Sequence, residues 1–297
     1  MKRVFTFCLL VATSASAQVA RVFLAGTGND AGDCTNQATP CRSLQGAVTA
    51  CPANGEIIIL DNGGYGGATI TKSLTVNASA GVVAFIARTI AVNIASTDKV
   101  VLRGLSMNGV VFGDADGIAF TGGGTLVVEN SVIAGFTTAA INQTAAGSNL
   151  IVNNCEVRNN GYGVRNSTNS GTNTNTVIEN SRFEYNVDGV YSSFSAASIS
   201  LRNSVVTNSD IGVGAGSVFQ TQPVMIVVDT CTIAHNSRGI AAGTAGGIAN
   251  IYVTNSTIYH NVDGIWLNAA GTIQSYGNNR VTANTNSSTF SGTVPLQ

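Results

Sequence analysis

The chain has little charge, proline or histidine. Only 10% of its 297 residues are Asp, Glu, Lys or Arg, fourteen basic against fifteen acidic. Such a balance lacks the basic stripe that displaces counterions from phosphates, which argues against a nucleic-acid partner. A hydrophobic share of 44% argues equally against an acidic disordered chain. Four Pro beside 34 Gly exclude collagen-like triplets and proline-rich linkers. Mean hydropathy is +0.24, yet no apolar run beyond the first twenty residues is long enough to span a bilayer. The remaining class is β-rich.

The N-terminus reads as a leader. Lys2 and Arg3 precede an apolar run over residues 4–12, and Ala15-Ser16-Ala17 offers small residues at a cleavage site. Residues 1–17 are therefore expected to be a signal peptide, and the protein to be secreted, extracellular or periplasmic. The rest divides into an N-terminal cap (18–56), a repeat region (57–292) and a short tail (293–297).

What is abundant is repetition. The segments around Asn130, Asn154, Asn180, Asn203, Thr230, Asn255 and Asn278 share one frame, with the anchors 23 to 27 residues apart. Six residues after an anchor comes Asn, at 160, 186, 236, 261 and 284. Nine after it comes Gly, at 163, 189, 212, 239 and 264. Each unit reads as strand, Asn bend, strand, Gly turn, third strand. Leucine-rich and helical solenoids do not fit, because the inward sites are Val and Ile and every unit contains Gly and Asn. The expectation is an all-β, right-handed single-stranded parallel β-helix with three strands per coil and Asn ladders at the bends. Ser43 to Cys51 reads as a short capping helix with Ser43 as N-cap.

Alternation sends Ile133, Val157, Phe183, Val206, Ile233, Ile258 and Val281 into one inward column. On the outside, Glu179–Arg202–Asp229, Arg103–Glu129, Glu156–Arg182 and Arg158–Glu184 fall on adjacent coils as charge ladders. Cys155 and Cys231 share an inward column three coils apart, about 14 Å, too far for a disulfide. In an oxidising compartment Cys34 and Cys41 are the favoured pair, with Cys51 the competing partner for either.

The Thr39-Pro40-Cys41-Arg42 stretch, residues 60–66 (LDNGGYG) and residues 69–73 (TITKS) complete a pattern. It resembles the secreted bacterial right-handed parallel β-helix repeat proteins of the pectin-lyase-like superfamily over roughly residues 20–290. That resemblance implies a polysaccharide or cell-surface glycan as partner, because its enzymes cleave acidic polysaccharides while some tailspikes and adhesins share the coil. The Asn-Thr-Asp, Asp-Asp and Gly-His-Gly elements of its galacturonan hydrolases do not occur here. Its lyases use calcium held by several acids. Asp114 and Asp116 are the only tight acidic pair in a turn, so no cofactor is expected and calcium there is a weak candidate.

The site candidates cluster on one side of the later coils. Tyr162, Tyr185, Asp188, Tyr191 and Trp266, the only Trp, are read as a binding face for sugar rings. His235, His260, Arg238 and Asp263 form the alternative, an atypical lyase or hydrolase site. A non-catalytic glycan-binding scaffold is favoured, since Asp188 and Asp263 lie about 14 Å apart, beyond the ~5–9.5 Å of glycosidase carboxylates. Nothing in the sequence sets an oligomeric state.

Overall fold

The computed structural model describes residues 20–168, 172–193, 196–216, 223–243, 248–268, 271–286 and 289–295. Residues 1–17, read as a leader, lie outside these. The chain winds into a solenoid of three parallel sheets with twelve, ten and nine strands. A typical coil runs Asn149–Asn153 in the first sheet, Glu156–Arg158 in the second and Tyr162–Asn166 in the third. It then returns to the first sheet at Thr174–Glu179, in register with Asn149–Asn153. The segments of variable length fall between the third strand of one coil and the first strand of the next.

The inward columns stack as alternation demands. Ile133, Val157, Phe183, Val206, Ile233 and Ile258 are each 0% exposed, and burial of each such side chain is worth roughly 1.5–3 kcal/mol. Val281, expected to end the column, is instead exposed. The last coil carries one extra residue at its bend: Val253 pairs with Ser275, while Thr257 pairs with Arg280.

Both bends of a coil follow one design. A left-handed residue (the anchor at the first bend, anchor +5 at the second) is followed by a buried side chain that bonds to the backbone of the preceding coil. At the first bend this is a Ser/Cys column: the Ser181 hydroxyl accepts the Cys155 N–H (3.1 Å) and donates to the Glu179 carbonyl (2.8 Å). At the second it is the Asn column. Asn261 Oδ1 accepts the N–H of Asn236 (2.9 Å), and its Nδ2 donates to the carbonyls of Ile233 and Tyr259.

The Gly column serves close approach, not positive φ. A Cβ on Gly239 would lie 2.7 Å from the Gly264 carbonyl and 3.0 Å from Asn261 Nδ2. At Gly212, Gly239 and Gly264 the Asn and Gly signals are thus one contact seen from two coils.

Outside, Arg202 lies between Glu179 (3.9 Å) and Asp229 (3.5 Å), and Arg103 bonds Glu129 at 2.6 Å. The other ladder differs from expectation. Arg158 and Arg182 are in register with Glu184 and Glu156, but each pairs along its own strand, with Glu156 and Glu184 respectively. Exposed pairs differ by less than about 1 kcal/mol, so geometry two residues along a strand suffices to choose the partner.

At the N-terminal end, the helix Leu44–Ala50 covers the core with Leu44 and Ala47 fully buried. The Ser43 hydroxyl caps Gly46 N–H, and Asp30 accepts the N–H groups of Arg42 and Ser43 and the Ser43 hydroxyl. Cys34 and Cys41 are joined, Cα–Cα 5.2 Å, leaving Cys51, Cys155 and Cys231 as buried thiols. The first strand, Arg21–Leu24, lies inside the cap segment and pairs with Gly55–Ile59. At the other end Gly292–Thr293 is the last strand of the first sheet. Among the described residues no helix is long and apolar enough to cross a membrane.

Candidate functional site

The third sheet places two outward columns side by side. One runs Asp116, Ala139, Tyr162, Asp188, Ile211, Arg238, Asp263; the other runs Asn142, Arg165, Tyr191, Gly214, Ala241, Trp266. Their middle is packed. Tyr191 is 9% exposed and lies down over Gly214, where a Cβ would sit 2.4 Å from its ring. Tyr191, Ile211 and Ala241 form a small apolar cluster outside the solenoid wall, with half-buried Tyr162 and Trp266 against it. Tyr162 and Tyr191 meet with centroids 5.6 Å apart.

Two arginines close over the outer rings. The Arg165 guanidinium stands 4.9 Å from the Tyr162 centroid, and that of Arg238 stands 4.6 Å from Trp266. Arg238 is in register with Asp263, but no ion pair joins them. Asp263 instead accepts from the Asn286 amide at 2.5 Å. Beyond Trp266 the chain returns to the first sheet as the strand Gly271–Ser275.

Asp188 sits at the centre of the face and is 8% exposed. Burial pushes its carboxyl up to about 6, the nearby Asp210 carboxylate adds to the rise, and Arg238 opposes it. Of the residues read as a binding face, Tyr191 and Asp188 are thus largely buried: Tyr191 buttresses the face, and Asp188 is a largely desolvated acid. Asp210 went unnoticed in the sequence. It stands at the corner one residue before the third strand, beside Ile211.

Tyr185, His235 and His260 share the second bend, away from this cluster. Tyr185 is 61% exposed. His235 and His260 are exposed and stack at 5.4 Å, nearly parallel, with Tyr259 edge-on to both rings. No hydrogen bond among the described residues links His260 to Asp263, so the geometry does not join them as an acid–base pair.

Asp114 and Asp116 look to different partners. Asp114 accepts the Thr89 N–H and pairs with Arg88, both at 2.8 Å, and these contacts hold its carboxyl below the usual range. Burial raises Asp116, whose Oδ2 accepts from Asn142 while its buried Oδ1 has no partner. They share no oxygen cage of the six to eight ligands calcium takes. Among the described residues no three His, Cys, Asp or Glu gather as a metal group.

What the face offers chemically is two ring platforms with guanidinium edges and a protonatable carboxyl between them. Solved structures resemble the chain at the level of fold. Pectate lyase Pel9A matches with a TM-score of 0.66 and 14% identity over 94% of this chain and 79% of that one. The pectin methylesterase from Aspergillus niger matches at 0.52 with 12% identity, over 95% and 92%. A search of curated protein sequences finds no significant match. The family model described as "Right handed beta helix region" matches residues 56–222, more than half of the sequence. The chain belongs to the right-handed β-helix family, with a pectin-lyase-like fold.

Proposed function

We propose that this is a secreted, non-catalytic scaffold that binds a polysaccharide or cell-surface glycan on the outer face of its third sheet. The observation that carries the reading is the half-buried Trp266 ring fixed under Arg238, at one end of a packed aromatic cluster that begins at Tyr162. Rigid rings stack on the apolar faces of sugars, and a guanidinium beside them supplies hydrogen bonds. The pectin-named neighbours and the disulfide fit an extracellular glycan partner.

The test is a pull-down on a panel of insoluble polysaccharides, with and without calcium, read for both retention and cleavage. Retention without cleavage is expected, and Trp266→Ala should weaken it about tenfold. Retention untouched by that change would remove this face from consideration. One observation favours a second reading, an atypical lyase or hydrolase: Asp188, raised to about 6 beside Asp210, has the proton affinity of a general acid. Unsaturated products or new reducing ends, lost in Asp188→Asn, would establish it.

A further inference from the structure

The second bend holds a pair of groups that the glycan face does not use. His235 and His260 occupy the same position on adjacent coils, with left-handed backbones at φ 58° and 53°. Their rings lie 5.4 Å apart and 7° from parallel. Both side chains are exposed, and their only partners among the described residues are each other and the edge of Tyr259. Two imidazoles thus stand side by side with their ring nitrogens unclaimed, on a backbone fixed by the Asn ladder beneath them.

We infer that His235 and His260 form a two-imidazole site for a divalent transition ion of the zinc, copper or nickel kind. Neutral imidazole is the protein ligand suited to these ions. Two nitrogens bound to one tetrahedral zinc lie about 3.3 Å apart, from Zn–N bonds of about 2.0–2.1 Å. Exposed side chains change rotamer freely, so both rings can turn from the stacked arrangement to present a nitrogen each to a shared ion. The parallel coil spacing of about 4.8 Å already sets the Cα atoms at a workable distance. With only two protein ligands, the remaining positions are open to water or to an oxygen of an outside molecule.

The bend supplies its own controls. Asn159 and Asn208 hold the same left-handed position in other coils, at φ 57° and 55°, so His→Asn keeps the backbone the fold requires. The full chain, stripped with a chelator, is titrated with zinc chloride by calorimetry. One zinc per chain is expected, and His235→Asn and His260→Asn should each weaken it at least about tenfold. Asn208→His places a third imidazole in the column, one coil before His235, and should tighten binding by about tenfold or more, since three protein ligands are what open zinc sites use. Absence of uptake by the native chain would overturn the proposal. So would retention of affinity in either Asn variant, or no gain from Asn208→His.

Discussion

At the first bend the non-glycine left-handed positions are Asn130, Asn154, Asn180, Asn203, Thr230 and Asn255, with φ between 46° and 55°. At the second the non-glycine ones are Asn159, Tyr185, Asn208, His235, His260 and Ala283, with φ between 53° and 58°. The backbone demand is the same, and Asn meets it most readily. The first bend keeps Asn and uses it: Asn154 donates to Asn130 at 2.8 Å and Asn203 to Asn180 at 2.6 Å, an exposed amide ladder. The second bend carries its ladder one residue later, on buried Asn side chains, which frees the left-handed position itself. That freedom is where Tyr and His appear. The difference teaches where in this solenoid side-chain identity is set by the coil and where it is not.

If the second bend is held from inside, removing a buried rung should cost more there than at the first. Asn261 is 1% exposed; it satisfies the N–H of Asn236 and the carbonyls of Ile233 and Tyr259, and bonds the Asn236 and Asn284 amides. Asn261→Ala leaves several of these buried and unpaired, at about 1–3 kcal/mol each, so a loss of roughly 3–6 kcal/mol is expected. Ser256→Ala removes only an acceptor for Cys231 N–H and a donor to the Thr254 carbonyl, roughly 1–3 kcal/mol. Urea denaturation of the two variants reads the gap. Equal losses would mean that the bends are held alike.

Much of this was legible because it repeats. A period of 23 to 27 residues exposes inward columns, the Asn ladder and the Gly column together, and one coil's error is corrected by its neighbours. What repeats weakly was read less well. The in-strand pairing of Arg158 with Glu156 is decided by side-chain geometry on an exposed surface, where alternatives are nearly equal in energy. The burial of Tyr191 depends on Gly214 in the next coil, which leaves room for a ring to lie flat. Outward in the alternation is not the same as exposed. Asp210 was invisible for a related reason: it stands at a bend position whose equivalents are Gly161, Val187, Ser237 and Val262, so no column pointed to it.

A pH titration sharpens the same contrast just beyond the second bend. Asp188 follows Val187 into the third sheet, and its folded-state carboxyl is raised to about 6 chiefly by burial. Protonation is therefore tighter in the folded chain than in the unfolded one. Stability from this group is greatest at low pH and falls as pH climbs from about 4 through 6. At 1.4 kcal/mol per unit, the decline amounts to at most about 3 kcal/mol. Asp188→Asn should flatten that part of the profile and be the more stable protein at pH 8. At the first bend, Asp229 lies beside Arg202, and Asp229→Asn should leave this slope in place. Identical slopes in the native chain and in Asp188→Asn across the window would show that Asp188 is paired in solution.

The smallest effect tests whether Tyr185 is at its bend for the fold or against it. A bulky residue at φ 54° is held where Gly sits without penalty. Tyr185 is 61% exposed, so little burial offsets that strain. Tyr185→Gly should therefore raise stability by roughly 1 kcal/mol in relief of left-handed strain, less a few tenths for the extra freedom of the unfolded chain. Asn180→Gly, at the first bend of the same coil, meets the same backbone but deletes ladder amides, since Asn180 donates to Asn153 and accepts from Asn203. It should be neutral or destabilising. A gain at 185 with none at 180 would mark Tyr185 as a residue that the coil tolerates without needing. Loss of stability at 185 would instead show that its ring packs on the surface, and the contrast between the two bends would shrink to their ladders.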